Sequence, residues 1–195
     1  MDCAVMLSDL TIQAETRFDV VARERLLDAA FGMERYEKTS ERLREERLPA
    51  DGLAFALKTH GKLIGTIRLW NIRAGGVPAL LLGPLAMAKS HEGMGLGSRL
   101  MHHALAEAIW RGHKAVILVG DAQYYSRFGF KAELTKSLVL PGPVERERFL
   151  GLELAAGALA DACGLVTATG ANIPLHRRDL RRQSTLKSRF QQQAA

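Results

Sequence analysis

A glycine-rich turn between an apolar run and an amphipathic segment constrains the fold of this chain more than any other feature. Residues 77–88 are apolar almost throughout, and the turn GMGLGS follows at 93–98. Residues 95–111 have apolar side chains at helical spacing, and AVILV at 115–119 is typical of a strand buried on both faces. The predicted helical stripe consists of Leu96, Leu100, Ala104, Leu105, Ala108 and Ile109. This order predicts a β-α-β unit with a parallel pair of strands.

Shorter patterns predict the elements on either side of this unit. A strand at 11–14 precedes a helix that Asp19 caps and that ends at Phe31, before Gly32. The other predicted elements are a charged helix from Thr39 or Ser40 to Arg47, a hairpin of strands 53–59 and 62–71, a short helix at 124–128, and strands at 137–140 and 149–155, the last ambiguous with a helix. The predicted fold class is α/β (α+β), with antiparallel strands first and one parallel crossover in the middle.

The basic side chains are concentrated near the C-terminus. A chain of 195 residues is long enough for one domain with a sizeable core. Residues 176–195 hold six basic side chains against one acid, and so supply +5 of the formal net charge of +6. We therefore expect a nearly neutral domain at 1–170 and a basic extension at 171–195.

Cysteine usage and the N-terminus indicate the compartment. Cys3 and Cys163 are isolated, which is typical of reduced thiols and not of a disulfide framework or a metal cluster. The N-terminus carries Asp2 and no basic region, which argues against a secretory signal. No apolar run approaches the ~20 residues of a membrane-spanning helix. These features predict a soluble, cytoplasmic protein with no membrane partner.

The glycines of the turn favour an anionic ligand. Gly93, Gly95 and Gly97 leave backbone N–H groups accessible at the positive end of a helix, which makes a cradle for phosphate or pyrophosphate. The turn lacks the Lys-Ser/Thr pair of a P-loop and the spacing of a dinucleotide-binding fingerprint. Taken alone, the pattern is explained about equally well by a tight packing turn.

The strand before the turn contains Gly83-Pro84, which a central strand does not normally tolerate. Proline removes a ladder donor, and glycine in a strand commonly marks a bulge. We expect the strand to leave its neighbour partway along and to open a slot lined by unpaired backbone groups. Such a slot, ending at the phosphate cradle, suits a long cofactor with amide groups and a phosphate end.

Several motifs follow one another between Leu85 and Phe130 in the order and spacing of a known family. They are Leu85-Ala86-Met87, the stretch from Gly93 to Met101, AVILVGD at 115–121, and Tyr124-Tyr125-Ser126-Arg127-Phe128-Gly129-Phe130. This combination resembles the GNAT superfamily of N-acetyltransferases, and most of all its YhbS-like branch, over roughly residues 10–165. The resemblance implies a mixed, splayed β-sheet flanked by helices, with acetyl-CoA in the gap of a central β-α-β unit.

The resemblance assigns the cofactor contacts mainly to the main chain. Backbone groups of Leu85 and Met87 would bind the pantetheine arm and the thioester carbonyl. The pyrophosphate would be held by the amides of Gly93, Gly95, Gly97 and Ser98. With neighbouring residues and one tyrosine, the implied cofactor site is Leu85, Ala86, Met87, Gly93, Met94, Gly95, Leu96, Gly97, Ser98 and Tyr125.

Two positions depart from the family pattern. Glu92 stands where Gln or Arg is usual, and a carboxylate near phosphates is unfavourable unless it points away. Asp121 stands where many relatives have Asn, which leaves its part in positioning the cofactor open. Neither difference affects the backbone contacts.

The implied reaction moves an acetyl group from acetyl-CoA to a primary amine by direct attack through a tetrahedral intermediate. Tyr125, four residues before Gly129, matches the family's tyrosine that faces the cofactor sulfur, whereas Tyr124 is assigned to packing. The Met87 amide is our candidate for stabilising the oxyanion. A phenol of pKa ~10 gives its proton to a thiolate of pKa ~8.5 only at a cost of about 2 kcal/mol. A hydrogen bond from Tyr125 to the sulfur therefore explains the residue equally well.

The general base and the acceptor are not identified by any pattern. Candidate bases are Glu34, Glu37, His60, His91 and His102, and water could serve instead. The acids of the charged region could attract a cationic amine or form a solvated face: Glu34, Glu37, Glu41, Glu45 and Glu46. No metal is expected, because the neighbouring His102 and His103 face different directions and have no accompanying ligand set.

Two other functions stay open. The chain could bind acyl-CoA as a sensor without turnover. The basic residues between Arg177 and Arg189 could bind nucleic acid or the ribosome, although a solvated extension is the simpler interpretation and nucleic acid is not our expected partner. Acyl groups longer than acetyl and a homodimer are also left open.

Overall fold

The computed structural model describes residues 9–174, which form eight β-strands and four α-helices. The strands are β1 (Thr11–Ala14), β2 (Ala54–Thr59), β3 (Lys62–Ala74), β4 (Val77–Met87), β5 (Ala115–Val119), β6 (Leu138–Val139), β7 (Phe149–Glu153) and β8 (Gly164–Ala168). The helices are α1 (Val20–Phe31), α2 (Thr39–Arg42), α3 (Leu96–Trp110) and α4 (Ala122–Ser126). The predictions about Cys3 and about the basic residues of 176–195 lie outside the described residues.

The strands form one open sheet. Its main order is β1-β2-β3-β4-β5-β7, while β8 pairs with β3 and β6 pairs with β8. Along the main order β4 and β5 are the parallel pair, joined by α3, and the other neighbours are antiparallel. The predicted α+β fold with a central β-α-β unit is confirmed. β7, ambiguous in the sequence, is a strand because it pairs with β5 over its whole length.

Glycine turns set the register of β2, β3 and β4. His60 and Gly61 have φ values of 46° and 72°, which suit a tight hairpin turn. Gly75, in the next turn, has a φ of 54°, and a Cβ there would lie 2.2 Å from the carbonyl oxygen of Cys163. β3 continues to Ala74, beyond the predicted end at 71, because its last residues pair with both β4 and β8.

β8 has no counterpart among the predicted strands. It is a five-residue strand between β3 and β6, antiparallel to the end of β3 and parallel to β6. Its alternation of exposed and buried residues is too short to identify a strand by itself, so the tertiary pairing decides its conformation.

The charged helix, predicted to reach Arg47, ends at Arg42. Glu46 has a φ of 57°, which lies outside the helical region. The Leu48 amide donates to the carbonyl of Ala171 at 2.7 Å. Pairing with a distant C-terminal segment therefore holds this part of the chain out of the helix.

α1 begins and ends as predicted, but Asp19 does not cap it with its side chain. The Asp19 carboxylate accepts a hydrogen bond from the Thr16 amide at 2.9 Å and lies 2.6 Å from the Lys58 ammonium. Asp19 thus stabilises the turn before α1 and ties it to β2.

α3 covers one face of the sheet. Five residues of its predicted stripe are buried, whereas Ile109, in the last turn, is 56% exposed. The buried side chains of α3 join Leu57, Ile67 and Leu80 in one core cluster. A second core cluster contains Ala115 and Ile117 of β5 together with buried side chains between Leu138 and Val166. Between residues 9 and 174, none of the helices has the length and apolarity that crossing a bilayer requires.

Candidate active site

β4 separates from β5 partway along its length. Within the described residues, their parallel ladder ends at Leu81 and Ile117, shortly before Gly83-Pro84. The ladder between β3 and β4 also shifts register here, between Ile67 and Leu69. The strands therefore part where the Gly83-Pro84 pair predicts, and a gap opens between β4 and β5.

The backbone amides of Leu85 and Met87 face this gap. The Ala88 amide donates to the Ile64 carbonyl at 2.7 Å, which makes Ala88 a hydrogen-bonded position of the antiparallel ladder with β3. Because such positions alternate, Ala86 is the next one, and Leu85 and Met87 point their N–H and C=O groups to the opposite edge. That edge is the one that β5 has left.

The N-terminus of α3 lies beyond the end of β4. Gly95 occupies the N-cap position with a φ of 73°, and Gly93 has a φ of 75°. The first bond of this turn runs from the Arg99 amide to the Gly95 carbonyl at 3.1 Å. The amides of Leu96, Gly97 and Ser98 therefore have no partner within α3, as at every helix start. Nearby Glu92 is exposed, so its carboxylate is free to stay in solvent.

Tyr125 lies on α4 at the edge of the gap. Its ring packs edge-on against Phe130, with ring centroids 5.9 Å apart, and against Tyr124 at 4.9 Å. A Cβ at Gly120, the residue after β5, would lie 2.2 Å from Tyr125 Cε2. Burial raises the pKa of Tyr125 to about 12, and nearby Tyr124 and Asp121 add to this effect.

Asp121 and Tyr124 lie at the start of α4, at the edge of the same gap. The Asp121 carboxylate accepts a hydrogen bond from the Tyr124 amide at 2.6 Å and so caps α4. This cap explains why α4 begins at Ala122, two residues earlier than the predicted 124–128. The Tyr124 hydroxyl lies 3.3 Å from the position of a Cβ on Gly97. Tyr124 therefore reaches across the gap to the first turn of α3.

A cavity of about 310 Å³ adjoins Tyr125. One side is formed by residues 82–85 of β4, and another by Val119, Gly120 and Asp121 with the two tyrosines of α4. A third side consists of Phe31, Arg35, Lys38, Ser40, Glu41 and Arg44. Arg148 also lines the cavity, beside Gly120, whose amide donates to the Arg148 carbonyl at 2.9 Å. Leu85 and Tyr125 thus both line this cavity, whereas Met87 does not.

This third side of the cavity, its cationic wall, is rich in arginine and lysine side chains. Arg35 lies 2.5 Å from Glu24 and 2.8 Å from Asp28, so its charge is already paired. Arg44 is 7% exposed and contacts Glu41 at 2.9 Å. Burial lowers the pKa of Arg44, and the charge of Glu41 offsets part of that effect.

None of the five candidate bases lines the cavity. Glu34, Glu37 and His102 are exposed. His60 is 69% exposed and pairs with Asp9 on the β2–β3 hairpin. His91 exchanges a hydrogen bond with the neighbouring Ser90 at 2.9 Å. Of the five acids considered for attracting an amine, Glu41 is on the wall, and there it is paired with Arg44.

Comparison with known protein families identifies the family to which this chain belongs. The sequence profile of the Acetyltransferase (GNAT) family matches residues 21–130, more than half of the chain. The chain belongs to the GNAT family of N-acetyltransferases. The matched region contains α1 except its first residue, the β4–β5 gap, the α3 N-terminus and Tyr125.

Similar GNAT proteins align with this chain over most of their own length. The uncharacterized N-acetyltransferase YhbS of Escherichia coli K12 is 30% identical over 159 residues, which cover 80% of this chain and 95% of the relative. The crystal structure of E. coli YhbS in complex with CoA superimposes with a TM-score of 0.69 at 27% identity, covering 83% of this chain and 90% of that one. A Brucella melitensis GNAT acetyltransferase crystallised with acetyl-CoA shares the fold, with a TM-score of 0.58, 24% identity, and coverage of 75% and 88%.

Three residues that line the cavity of this GNAT protein carry no functional signal in the sequence. Arg44 lies in a segment whose charge indicates a solvated face, and Arg148 is far from every motif in the sequence. Gly120 follows a recognisable strand, but only the folded chain brings it under Tyr125. Within residues 9–174, no group of three or more His, Cys, Asp or Glu side chains is arranged to hold a metal ion.

Proposed function

We propose that this protein transfers an acetyl group from acetyl-CoA to a primary amine by direct attack of the amine on the thioester. The observation that carries the proposal is the line of main-chain groups from the cavity to α3. The amides of Leu85 and Met87 face the gap, and the free amides of the α3 N-terminus follow beyond it. The similar E. coli protein was crystallised with CoA, which supports this choice of acyl donor.

The main chain offers what each end of CoA requires. Amides of Gly93, Met94, Gly95, Leu96, Gly97 and Ser98 would bind the pyrophosphate at the positive end of α3. The gap-facing edge of Leu85 and Met87 would pair with the pantetheine amides in the manner of a β-strand. Ala86 separates Leu85 from Met87 along the strand, and its side chain is buried against Leu26 and Leu27 of α1.

We assign the thioester carbonyl to the Leu85 amide and the pantetheine arm to Met87. The sequence by itself favours the Met87 amide as the donor to the oxyanion. Leu85 is preferred because it lines the same cavity as Tyr125, whereas Met87 lies outside that lining. A well-placed oxyanion donor contributes about 3–4 kcal/mol to acyl-transfer rates in other enzymes.

Tyr125 would act as a hydrogen-bond donor to the leaving sulfur. With a pKa of about 12, Tyr125 stays a neutral phenol through the physiological range. Full proton transfer from it to a thiolate of pKa ~8.5 would cost about 5 kcal/mol. In the proposed reaction the amine nitrogen bonds to the carbonyl carbon, the C–S bond breaks, and CoA leaves as a thiolate. The nitrogen's extra proton passes to water, since the five candidate bases lie away from the cavity.

Calorimetry and an acceptor screen test this function. We expect the full chain to bind CoA and acetyl-CoA, and to release free CoA together with an acetylated product of matching mass from at least one amine. Absence of heat with millimolar CoA would contradict the whole proposal. Tight binding without product from any amine would favour the alternative of an acyl-CoA sensor.

We also propose that residues 1–170 form the acetyltransferase domain and 171–195 an extension. The Ala171 and Ile173 main chains bond to Leu48 and Glu46, which attaches the start of this extension to the domain. Deletion of 176–195 should leave acetyl-CoA affinity unchanged. If the tail instead binds nucleic acid, deletion should abolish retention on heparin, with a strong salt dependence in the full chain.

A further inference from the structure

The cationic wall of the cavity faces the reacting groups. Arg44 lines the same cavity as Tyr125, and its Nη1 is 3.5 Å from the position of a Cβ on Gly83. Gly83 belongs to the same wall of β4 as Leu85. The guanidinium is therefore directed at the bulge of β4, where acyl transfer is proposed to occur.

Arg44 has unused hydrogen-bonding capacity in a buried position. The residue is 7% exposed, and its Nε has no hydrogen-bond partner within the described residues. Its Nη2 contacts Glu41 at 2.9 Å and the Ser40 hydroxyl at 3.3 Å. The Nε atom lies beneath the protein surface, where no ligand reaches it, whereas Nη1 forms no hydrogen bond among the described residues and lies next to Gly83. An anionic ligand is the group that this guanidinium donor would bind best.

The remaining charges leave the wall with a positive excess. Arg35 is neutralised by Glu24 and Asp28 and does not contribute. The ammonium of Lys38 is 5.0 Å from the centroid of the Phe31 ring and forms no salt bridge within residues 9–174. Arg148, 49% exposed, forms one long ion-pair contact among the described residues, at 3.9 Å from Glu145.

The acids near the wall do not cancel this excess. Glu41 is paired with Arg44 at 2.9 Å. Asp121 accepts a hydrogen bond from the neutral Tyr124 amide at 2.6 Å and keeps its charge, one negative charge against the two positive charges of Lys38 and Arg148. Lys38 and Arg148 thus add to the unused donors of Arg44. A purely cationic acceptor would meet repulsion on this side of the cavity.

We propose that the acceptor amine belongs to a small molecule that also carries a carboxylate, which Arg44 binds with help from Lys38 and Arg148. The inference rests on the proposed acetyl transfer and narrows its acceptor class. The amine would lie toward Leu85 and Tyr125, and the carboxylate toward Arg44. The cavity volume of about 310 Å³ is at the lower end for ligand pockets and suits a molecule of amino-acid size.

Matched ligand pairs test the proposal. The probes are 4-aminobutyrate against 1,4-diaminobutane, 5-aminopentanoate against 1,5-diaminopentane, and free α-amino acids against their amides, with phosphate-bearing ethanolamine phosphate as a separate arm. Binding to the CoA-loaded full chain is measured by calorimetry, and transfer by CoA release. We expect at least one carboxylate probe to bind and to be acetylated roughly tenfold or more better than its matched partner, the scale of one charge-assisted hydrogen bond.

Substitutions on the cationic wall test whether its side chains cause the preference for carboxylate probes. Arg44→Gln should reduce the carboxylate preference roughly tenfold or more, Arg44→Lys should restore part of it, and the more exposed Lys38→Gln should reduce it less. Arg25→Gln and Lys62→Gln, both on exposed positions outside the cavity lining, serve as charge-matched controls. Lys38→Gln keeps the test decisive if Arg44→Gln does not fold.

The outcomes separate this inference from the proposed function. Equal response to the two members of every pair, or no response to any carboxylate, overturns the inference while CoA binding stands. Preference for ethanolamine phosphate over all carboxylates also overturns it in favour of a phosphate ligand. If Arg44→Gln affects only the use of succinyl-CoA, an acyl donor with a carboxylate, then Arg44 recognises a carboxylate on the acyl group. That outcome overturns the inference about the acceptor. Failure to bind CoA would contradict the proposed function itself.

Discussion

The ring of Tyr125 lies against Gly120, so closely that a Cβ at position 120 would fall 2.2 Å from Cε2 and 2.8 Å from Cδ2 of the ring. Both residues line the cavity, Gly120 at the end of β5 and Tyr125 on α4. The glycine therefore fixes where the phenol can sit. The contact with Gly120, at the end of β5, therefore orients Tyr125, the proposed hydrogen-bond donor to the CoA sulfur.

Gly120→Ala should displace the Tyr125 ring and lower kcat about 10- to 100-fold, with a smaller effect on CoA affinity, because α3 and β4 are untouched. The measurement is steady-state kinetics beside calorimetry with CoA. The double variant with Tyr125→Phe should be little worse than the more severe single variant, since both remove the same hydrogen bond. Fully additive losses would contradict a shared role.

Tyr125→Phe keeps the packing against Phe130 and removes the hydroxyl, so we expect kcat to fall about 10- to 100-fold with unchanged melting temperature. Because the pKa of Tyr125 is about 12, the neutral phenol persists below that pH and is lost only above it. The wild-type kcat should therefore show no alkaline decline from this group up to about pH 10. A decline near pH 9 that disappears in Tyr125→Phe would contradict this assignment.

Gly95→Ala should weaken CoA binding about tenfold or more, because a side chain would enter the approach to the α3 amides. Gly112→Ala is its matched control at the other end of the same helix. The two glycines have φ values of 73° and 80°, and a Cβ on either would meet nothing within 4 Å, so both changes should cost similar backbone strain of about 1 kcal/mol. Equal CoA affinity of the two variants, by calorimetry, would argue against the cradle.

Glu24→Gln should change the pH dependence of stability. Burial alone would raise the pKa of Glu24, but the guanidiniums of Arg23 and Arg35 outweigh it and lower the pKa to about 2. The carboxylate therefore stabilises the fold above its unfolded pKa of about 4.5, and this contribution is lost as the pH falls toward 2. Its size is at most about 3 kcal/mol.

Urea unfolding at pH 7 and pH 3 measures the Glu24 effect. The wild type should exceed Glu24→Gln in unfolding free energy at pH 7, and the difference should shrink at pH 3. A difference that stays constant with pH would exclude a contribution from the ionised carboxylate.

The β-α-β unit, the glycine turn at the start of α3 and the break in β4 were determined by the sequence alone. A continuous apolar strand, a glycine turn at a helix start and a stripe on α3 are local patterns, and each specifies its element through backbone preference and periodicity. Gly83-Pro84 likewise predicts where β4 leaves β5, because proline cannot continue a ladder. Roles for Leu85, Met87 and Tyr125 came from the family resemblance and remain predictions.

Only the tertiary structure decided the cavity wall and the ends of several elements. Arg44 is charged and lies in a segment that resembles a solvated helix, yet pairing of Leu48 with Ala171 ends that helix early and the guanidinium is buried beside β4. β8 and the contact of Gly120 with Tyr125 likewise join residues that are far apart or unpatterned in sequence. Local patterns report which backbone conformation a segment prefers, whereas burial and charge pairing depend on which distant segments pack against it.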